Sequence, residues 1–114
     1  MVELKKLKND EITIDTYKDK YHTEIINLIL GIQQNEFHVP ISLQDQPDLI
    51  NIPKFYQTRN GQFWVALYNN RVVGTLGLLD IGNRQGVLRK MFVETSFRGS
   101  QIGTAKILLN ELIK

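Results

Sequence analysis

Residues 88–109 read LRKMFVETSFRGSQIGTAKILL, and the fold turns on how this stretch divides. Its first part completes a run of β-formers, Val87 to Val93, which predicts a strand. Its last part places Ile102, Ala105, Leu108, Leu109 and, just beyond, Leu112 on one face at helical spacing, which predicts an amphipathic helix beginning near Gln101. Between them lies a loop containing Gly99 and Gly103. A helix begins with unpaired N–H groups and the positive end of its dipole. Glycines before it let a ligand approach the backbone closely, so such a junction can cradle a pyrophosphate. Arg98 adds a positive charge there, and Ser100 and Thr104 add hydroxyls. The same glycines also serve an ordinary strand-to-helix turn, and the loop alone leaves both readings open.

Working outward, the elements before this stretch form a meander. Phe63 to Tyr68 is six β-formers in a row, a strand covered on both faces. Asn69-Asn70 is a two-residue hairpin turn, because Asn tolerates positive φ. Val72 to Leu79 returns, with Gly74 and Gly77 inside it marking a bulge or a close backbone approach. Residues 82–86 turn the chain again. Nearer the start, Ile12 and Ile14 alternate with polar residues as a short strand. Tyr21, Ile25, Leu28, Ile29 and Ile32 then form one face of a helix from about Asp19 to Asn35. Residues 36–60 hold all three prolines, with a short helix at Asp48–Ile52 interrupted before Pro53. The expected class is α+β, in the order β-α-α-β-β-β-α.

Composition bounds the chemistry. The chain has 114 residues, 42% hydrophobic and 23% charged, the profile of one globular domain spanning 1–114. It has no cysteine, which excludes disulfides, thiolate nucleophiles and cysteine-held metals. Two histidines, His22 and His38, are too few for a histidine-rich metal site, and no metal is expected. Residues 1–11 carry no apolar signal segment and no run reaches membrane-span length, so no membrane partner and a cytoplasmic location are expected. Net charge is +2, but residues 83–114 are basic and residues 21–82 acidic, a polarity that suits an anionic ligand at one end. The basic segment is modest and carries no recognised nucleic-acid motif, so no nucleic-acid partner is expected.

Residues 88–109 resemble the acetyl-CoA-binding core of the GNAT superfamily of N-acetyltransferases. In that family a strand of the type Leu-x-x-Met/Leu-Tyr/Phe-Val precedes Arg/Gln-x-x-Gly-x-Gly/Ala and a helix. Arg98, Gly99 and Gly103 match; Gln101 stands where Gly is usual. The upstream elements fit the same order, so the resemblance spans essentially the whole chain. It implies a GNAT-like mixed sheet whose meander leads into the pyrophosphate-loop helix. It also implies acetyl-CoA as donor co-substrate, a small-molecule or protein amine as acceptor, and direct attack of the amine on the thioester. The main chain of Met91, Phe92 and Val93 would meet the pantetheine arm and acetyl carbonyl. The amides of Gly99, Ser100, Gln101, Ile102, Gly103 and Thr104 would hold the pyrophosphate, with Arg98 supporting.

The resemblance leaves the proton acceptor open. Some members carry a glutamate on the acetyl-binding strand, where this chain has Arg89 and Lys90. Glu36, beside Phe37 after the first helix, falls where members build the acceptor wall and is the candidate base; ordered water is equally compatible. Asp45 and Asp48 either attract a cationic amine or cap helices. A full GNAT domain continues with a parallel strand, a helix and two further strands, which the chain lacks before its last residue, Lys114. A truncated, non-catalytic CoA-binding or protein-interaction module is therefore the alternative function. With no following strand, Val87–Val93 has an open edge, and a homo-oligomer through that edge is expected.

Overall fold

The computed structural model describes residues 11–99 and 102–113. Four strands, β1 (Thr13–Thr16), β2 (Gln62–Tyr68), β3 (Arg71–Gly82) and β4 (Gln85–Val93), form one antiparallel sheet in sequence order. Four α-helices accompany it: α1 (His22–Leu30), α2 (Pro47–Ile50), α3 (Ile52–Tyr56) and α4 (Thr104–Leu112). The α+β class and the GNAT-like order are as the sequence predicts. The described strands are all antiparallel; none is the parallel strand that would make the sheet mixed.

The two hairpins follow from their turn residues. Asn69 and Asn70 lie at φ 50° and 63°, and Asn83 and Arg84 at 55° and 60°, the left-handed pair that joins twisted strands tightly. The helix expected over 19–35 spans Asp19 to Glu36 as a 3-10 turn, α1 and a wider π-helical segment, Gly31–Glu36.

Two expectations are corrected. The short helix does stop before Pro53, at Ile50, but Pro53 also sits in the first turn of a further helix, α3, capped by Asn51, whose side-chain oxygen accepts from the Lys54 N–H at 3.2 Å. Proline has no helical N–H to lose there and its fixed φ suits the position. There are thus three α-helices between β1 and β2, where the sequence predicts two. The last helix begins at Thr104, because Gly103 holds φ 66° and cannot be part of a right-handed helix. Gln101, where it was expected to start, lies outside the described residues.

Each face of the sheet buries its own core. On one, α1 to α3 pack Ile25, Ile29, Leu49, Ile52 and Tyr56 against Phe63, Val65 and Val72. On the other, Leu108 of α4, with Phe97 and Ile102, packs against Ala66, Val73, Leu76 and Val93. The doubly covered β2 is as its sequence predicts. Gly77 is the close approach expected of a strand glycine. A Cβ there would lie 2.7 Å from the Tyr56 ring, so its absence lets α3 settle onto the sheet. β4 closes one edge, and Val87, Leu88 and Met91 along it are exposed.

Candidate active site

The site is assembled along β4 and its continuation. Between the pairs Thr75↔Phe92 and Gly77↔Arg89, β3 contributes Leu76 alone while β4 contributes Lys90 and Met91. This is a β-bulge, which leaves one residue out of the ladder and turns the strand. Lys90 takes φ 55°, a left-handed conformation costing a side-chain-bearing residue about 1–2 kcal/mol. Two contacts hold it. The hydroxyl of the fully buried Thr75 donates to the Lys90 carbonyl at 2.7 Å. The Lys90 ammonium lies 3.6 Å from Asp48 Oδ2, and both side chains are largely buried. The same oxygen accepts the Tyr56 hydroxyl at 2.5 Å. Burial, then this hydrogen bond, push the Tyr56 hydroxyl far above the ordinary phenol range. Of the two readings left open for Asp48, the geometry favours neither acceptor attraction nor surface capping: it is a buried acceptor for Tyr56 and Lys90. Asp45 holds the turn before α2, accepting from the N–H and hydroxyl of Ser42 at 3.0 Å.

Past β4 the chain turns through Thr95–Phe97 and reaches Arg98. Its Nε donates to the Val93 carbonyl at 2.7 Å. Its two terminal nitrogens grip Glu36: Nη2 donates to Oε2 at 2.7 Å and Nη1 to Oε1. The guanidinium, with help from the Thr95 hydroxyl, holds the Glu36 carboxyl below the usual range, and Glu36 raises Arg98 in turn. The sequence-predicted base is therefore an ionised partner of a sequence-predicted cofactor ligand. A carboxylate held ionised in this way accepts a proton poorly. Phe37, its neighbour, is 60% exposed. Glu94 pairs with Arg71 at 2.5 Å, and Asp80 lies at the far end of the hairpin, opposite Gly86.

The loop then closes on itself. Gly99 lies at φ 101° and Gly103 at 66°, and the Gly103 N–H donates to the Gly99 carbonyl at 2.8 Å. The Thr104 hydroxyl, read in sequence as a ligand group, instead donates to the Phe97 carbonyl at 2.9 Å and is buried. What Thr104 offers to a ligand is its main chain. The Ile102 side chain belongs to the core, and Ser100 and Gln101 lie outside the described residues. A cavity of about 420 Å³ opens here, lined by Val93, Arg98, Gly99, Gly103, Thr104, Ala105 and Lys106. It sits at the first turn of α4, where helix N–H groups are unpaired. A second cavity of about 390 Å³ lies between the α1 side and the start of the loop, lined by Asn27, Leu28, Gly31, Ile32, Asn35, Glu36, Glu94 and Thr95.

The structure thus brings Met91, Phe92 and Val93 onto one edge running into Arg98, Gly99 and Gly103, and sets Glu36 against Arg98. Sequence reasoning missed the grouping of Lys90 with Asp48, Tyr56 and Thr75. A lysine among β-formers offers no signal that it occupies a bulge.

The profile of the acetyltransferase (GNAT) family matches residues 14–114. A GNAT-family acetyltransferase from Staphylococcus aureus Mu50 shares 43% identity with a TM-score of 0.84, covering 90% of this chain and 63% of that one. An acetyltransferase from Streptococcus agalactiae 2603 shares 33% identity with a TM-score of 0.83, covering 90% and 64%. At 17% identity, a predicted acetyltransferase of Clostridium acetobutylicum, solved with acetyl-CoA, shares the fold with a TM-score of 0.65, covering 90% and 71%. No curated protein matches the chain. The chain spans a little under two-thirds of the length of the two more similar structures. With almost all of its own length matched, by a family profile and by structures of that identity, this chain belongs to the acetyltransferase (GNAT) family.

Proposed function

We propose that this chain binds acetyl-CoA along β4 and at the first turn of α4, and serves N-acetyl transfer from that donor to an amine. The observation that carries the reading is one continuous surface: the bulged edge of β4 leads through Val93 into the cavity lined by Gly99, Gly103 and Thr104. The acetyl-CoA held by the Clostridium acetobutylicum protein of the same fold supports the choice of donor.

The cavity takes the pyrophosphate. The amides entering α4 point positive dipoles at it. Gly103 supplies the left-handed turn that ends the loop, and Arg98 lies at the rim. The pantetheine arm runs beside Val93, Phe92 and Met91 and pairs with their main chain. The thioester carbonyl then lies near the bulge. There a main-chain N–H stabilises the oxyanion that forms as the neutral amine attacks. The carbon–nitrogen bond forms, the carbon–sulfur bond breaks, and the coenzyme thiolate takes up a proton. Glu36 is held ionised by Arg98, so water is the better carrier of the proton released by the amine. Glu36 instead lines the acceptor side with Asn35 and Glu94.

Calorimetric titration with acetyl-CoA, desulfo-CoA and 3′,5′-ADP tests the donor claim. Saturable binding of all three, weakened at Gly103→Val, is expected. Absence of binding by a folded chain would overturn it. Binding with no transfer to any amine would leave a CoA-binding module.

A further inference from the structure

We propose that the buried chain Tyr56–Asp48–Lys90 is a positioning device. It tethers the β4 bulge to α2 and α3, and so sets where the main chain of Met91 and Phe92 meets the acyl end of the donor. The proposal rests on the acetyl-CoA reading of the same edge.

A bulge on an edge strand is poorly restrained. β4 has β3 on one side only among the described residues, and Met91 is 38% exposed. The left-handed φ of Lys90 is a conformation the chain would relax if released. Three restraints oppose that. Thr75 grips the Lys90 carbonyl from β3. The Lys90 ammonium reaches Asp48 on α2, and Asp48 is fixed by Tyr56 on α3. The Tyr56 ring is itself wedged against Phe63, centroids 5.2 Å apart, and against Gly77. Gly77 flanks the bulge on β3. The contacts therefore close a loop: bulge, lysine side chain, helix pair, and back to the strand opposite the bulge.

A plain core ion pair would need none of this. Here the lysine whose side chain is tethered is also the residue whose backbone is left-handed. Removing the charge frees the backbone that the reaction uses. Asp48 is a positioning residue and not a base, because it is buried against Lys90 and Tyr56 and is absent from the lining of both site cavities. Its partner Lys90 cannot be lost without leaving a buried carboxylate unpaired.

The test uses the full chain and five variants: Lys90→Met, Lys90→Arg, Asp48→Asn, Tyr56→Phe, and the double variant Asp48→Asn with Lys90→Met. The first readout is amide hydrogen exchange by NMR. Protected amides among Thr75, Gly77, Arg89 and Phe92 are compared with those of Val65 and Ile25. In Lys90→Met and the double variant, exchange beside the bulge should rise about tenfold or more while Val65 and Ile25 hold. Lys90→Arg should restore protection. The second readout is binding: acetyl-CoA should weaken about tenfold, while 3′,5′-ADP, which reports on the α4 end, should bind unchanged. Unaltered exchange at the bulge, or a rise spread evenly over Val65 and Ile25, overturns the tether. The double variant, which buries no lone charge, serves if Asp48→Asn does not fold. If the unaltered chain binds neither ligand, the acetyl-CoA reading fails, and exchange alone decides whether the bulge is tethered.

Discussion

Glu36 and Arg98, 62 positions apart, meet in a two-pronged ion pair, and Arg98 also donates to the carbonyl that ends β4. The last turn of the helical segment after α1 is thereby fastened to the loop that enters α4. The pair joins the wall of one cavity to the lining of the other, so a change at Glu36 is felt at the loop that enters α4.

The pair gives a pH dependence of defined sign. The Glu36 carboxyl is depressed in the folded chain, so its contribution is complete above the ordinary glutamate range and fades as pH falls through the lower, folded value. An NMR titration of the Glu36 carboxyl should show a midpoint below the ordinary range, returning to it in Arg98→Ala. A normal midpoint in the unaltered chain would remove the pair from the account.

Gly103 should be intolerant for two reasons. Its left-handed φ costs any other residue except Asn or Asp about 1–2 kcal/mol, and Gly103 lines the cavity. Gly103→Val should lower both unfolding free energy and acetyl-CoA affinity. Chemical denaturation and calorimetry separate the two losses. Full affinity in a folded Gly103→Val chain would place the pyrophosphate elsewhere.

Gly77→Ala puts a Cβ 2.7 Å from the Tyr56 ring. Overpacking of this kind costs about 1–3 kcal/mol, and the ring has little room to retreat because Phe63 lies on it. The thermal midpoint should fall, and the loss in Gly77→Ala combined with Tyr56→Leu should be smaller than the sum of the two single losses. An unchanged midpoint in the single variant would contradict the packing described for α3.

β4, paired on one side only among the described residues, presents Val87, Leu88 and Met91 to solvent, and open edges of this kind recruit other chains. Light scattering should show concentration-dependent self-association, reduced by Leu88→Lys. A monomer persisting to high concentration would count against an edge-mediated homo-oligomer.

The legible parts of the fold were those written in local periodicity. The Asp19–Glu36 helical run, the Asn69-Asn70 turn and the β2–β4 meander follow from apolar spacing and from residues that tolerate positive φ. Pro53 marks the break after α2 but hides the helix it opens, because a proline that ends one helix equally begins another, and the cap at Asn51 places α3. The start of α4 was misplaced because apolar spacing extends back to Ile102, whereas the φ of Gly103 sets the boundary. At the site, the glycines and Arg98 stood out as a motif. The union of Arg98 with Glu36, and of Lys90 with Asp48, did not. Each joins residues from distant segments, and the second depends on a one-residue slip in a ladder that no local pattern records.

In the proposed function one edge, from the β4 bulge to the first turn of α4, receives acetyl-CoA. The most direct measurement is an amide NMR titration of the intact chain with acetyl-CoA. Saturable shifts are expected at Met91, Phe92, Val93, Gly99, Gly103 and Thr104, with Val65 and Ile25 still. A folded chain whose amides along this edge do not move, or move no more than those of the core, would contradict it.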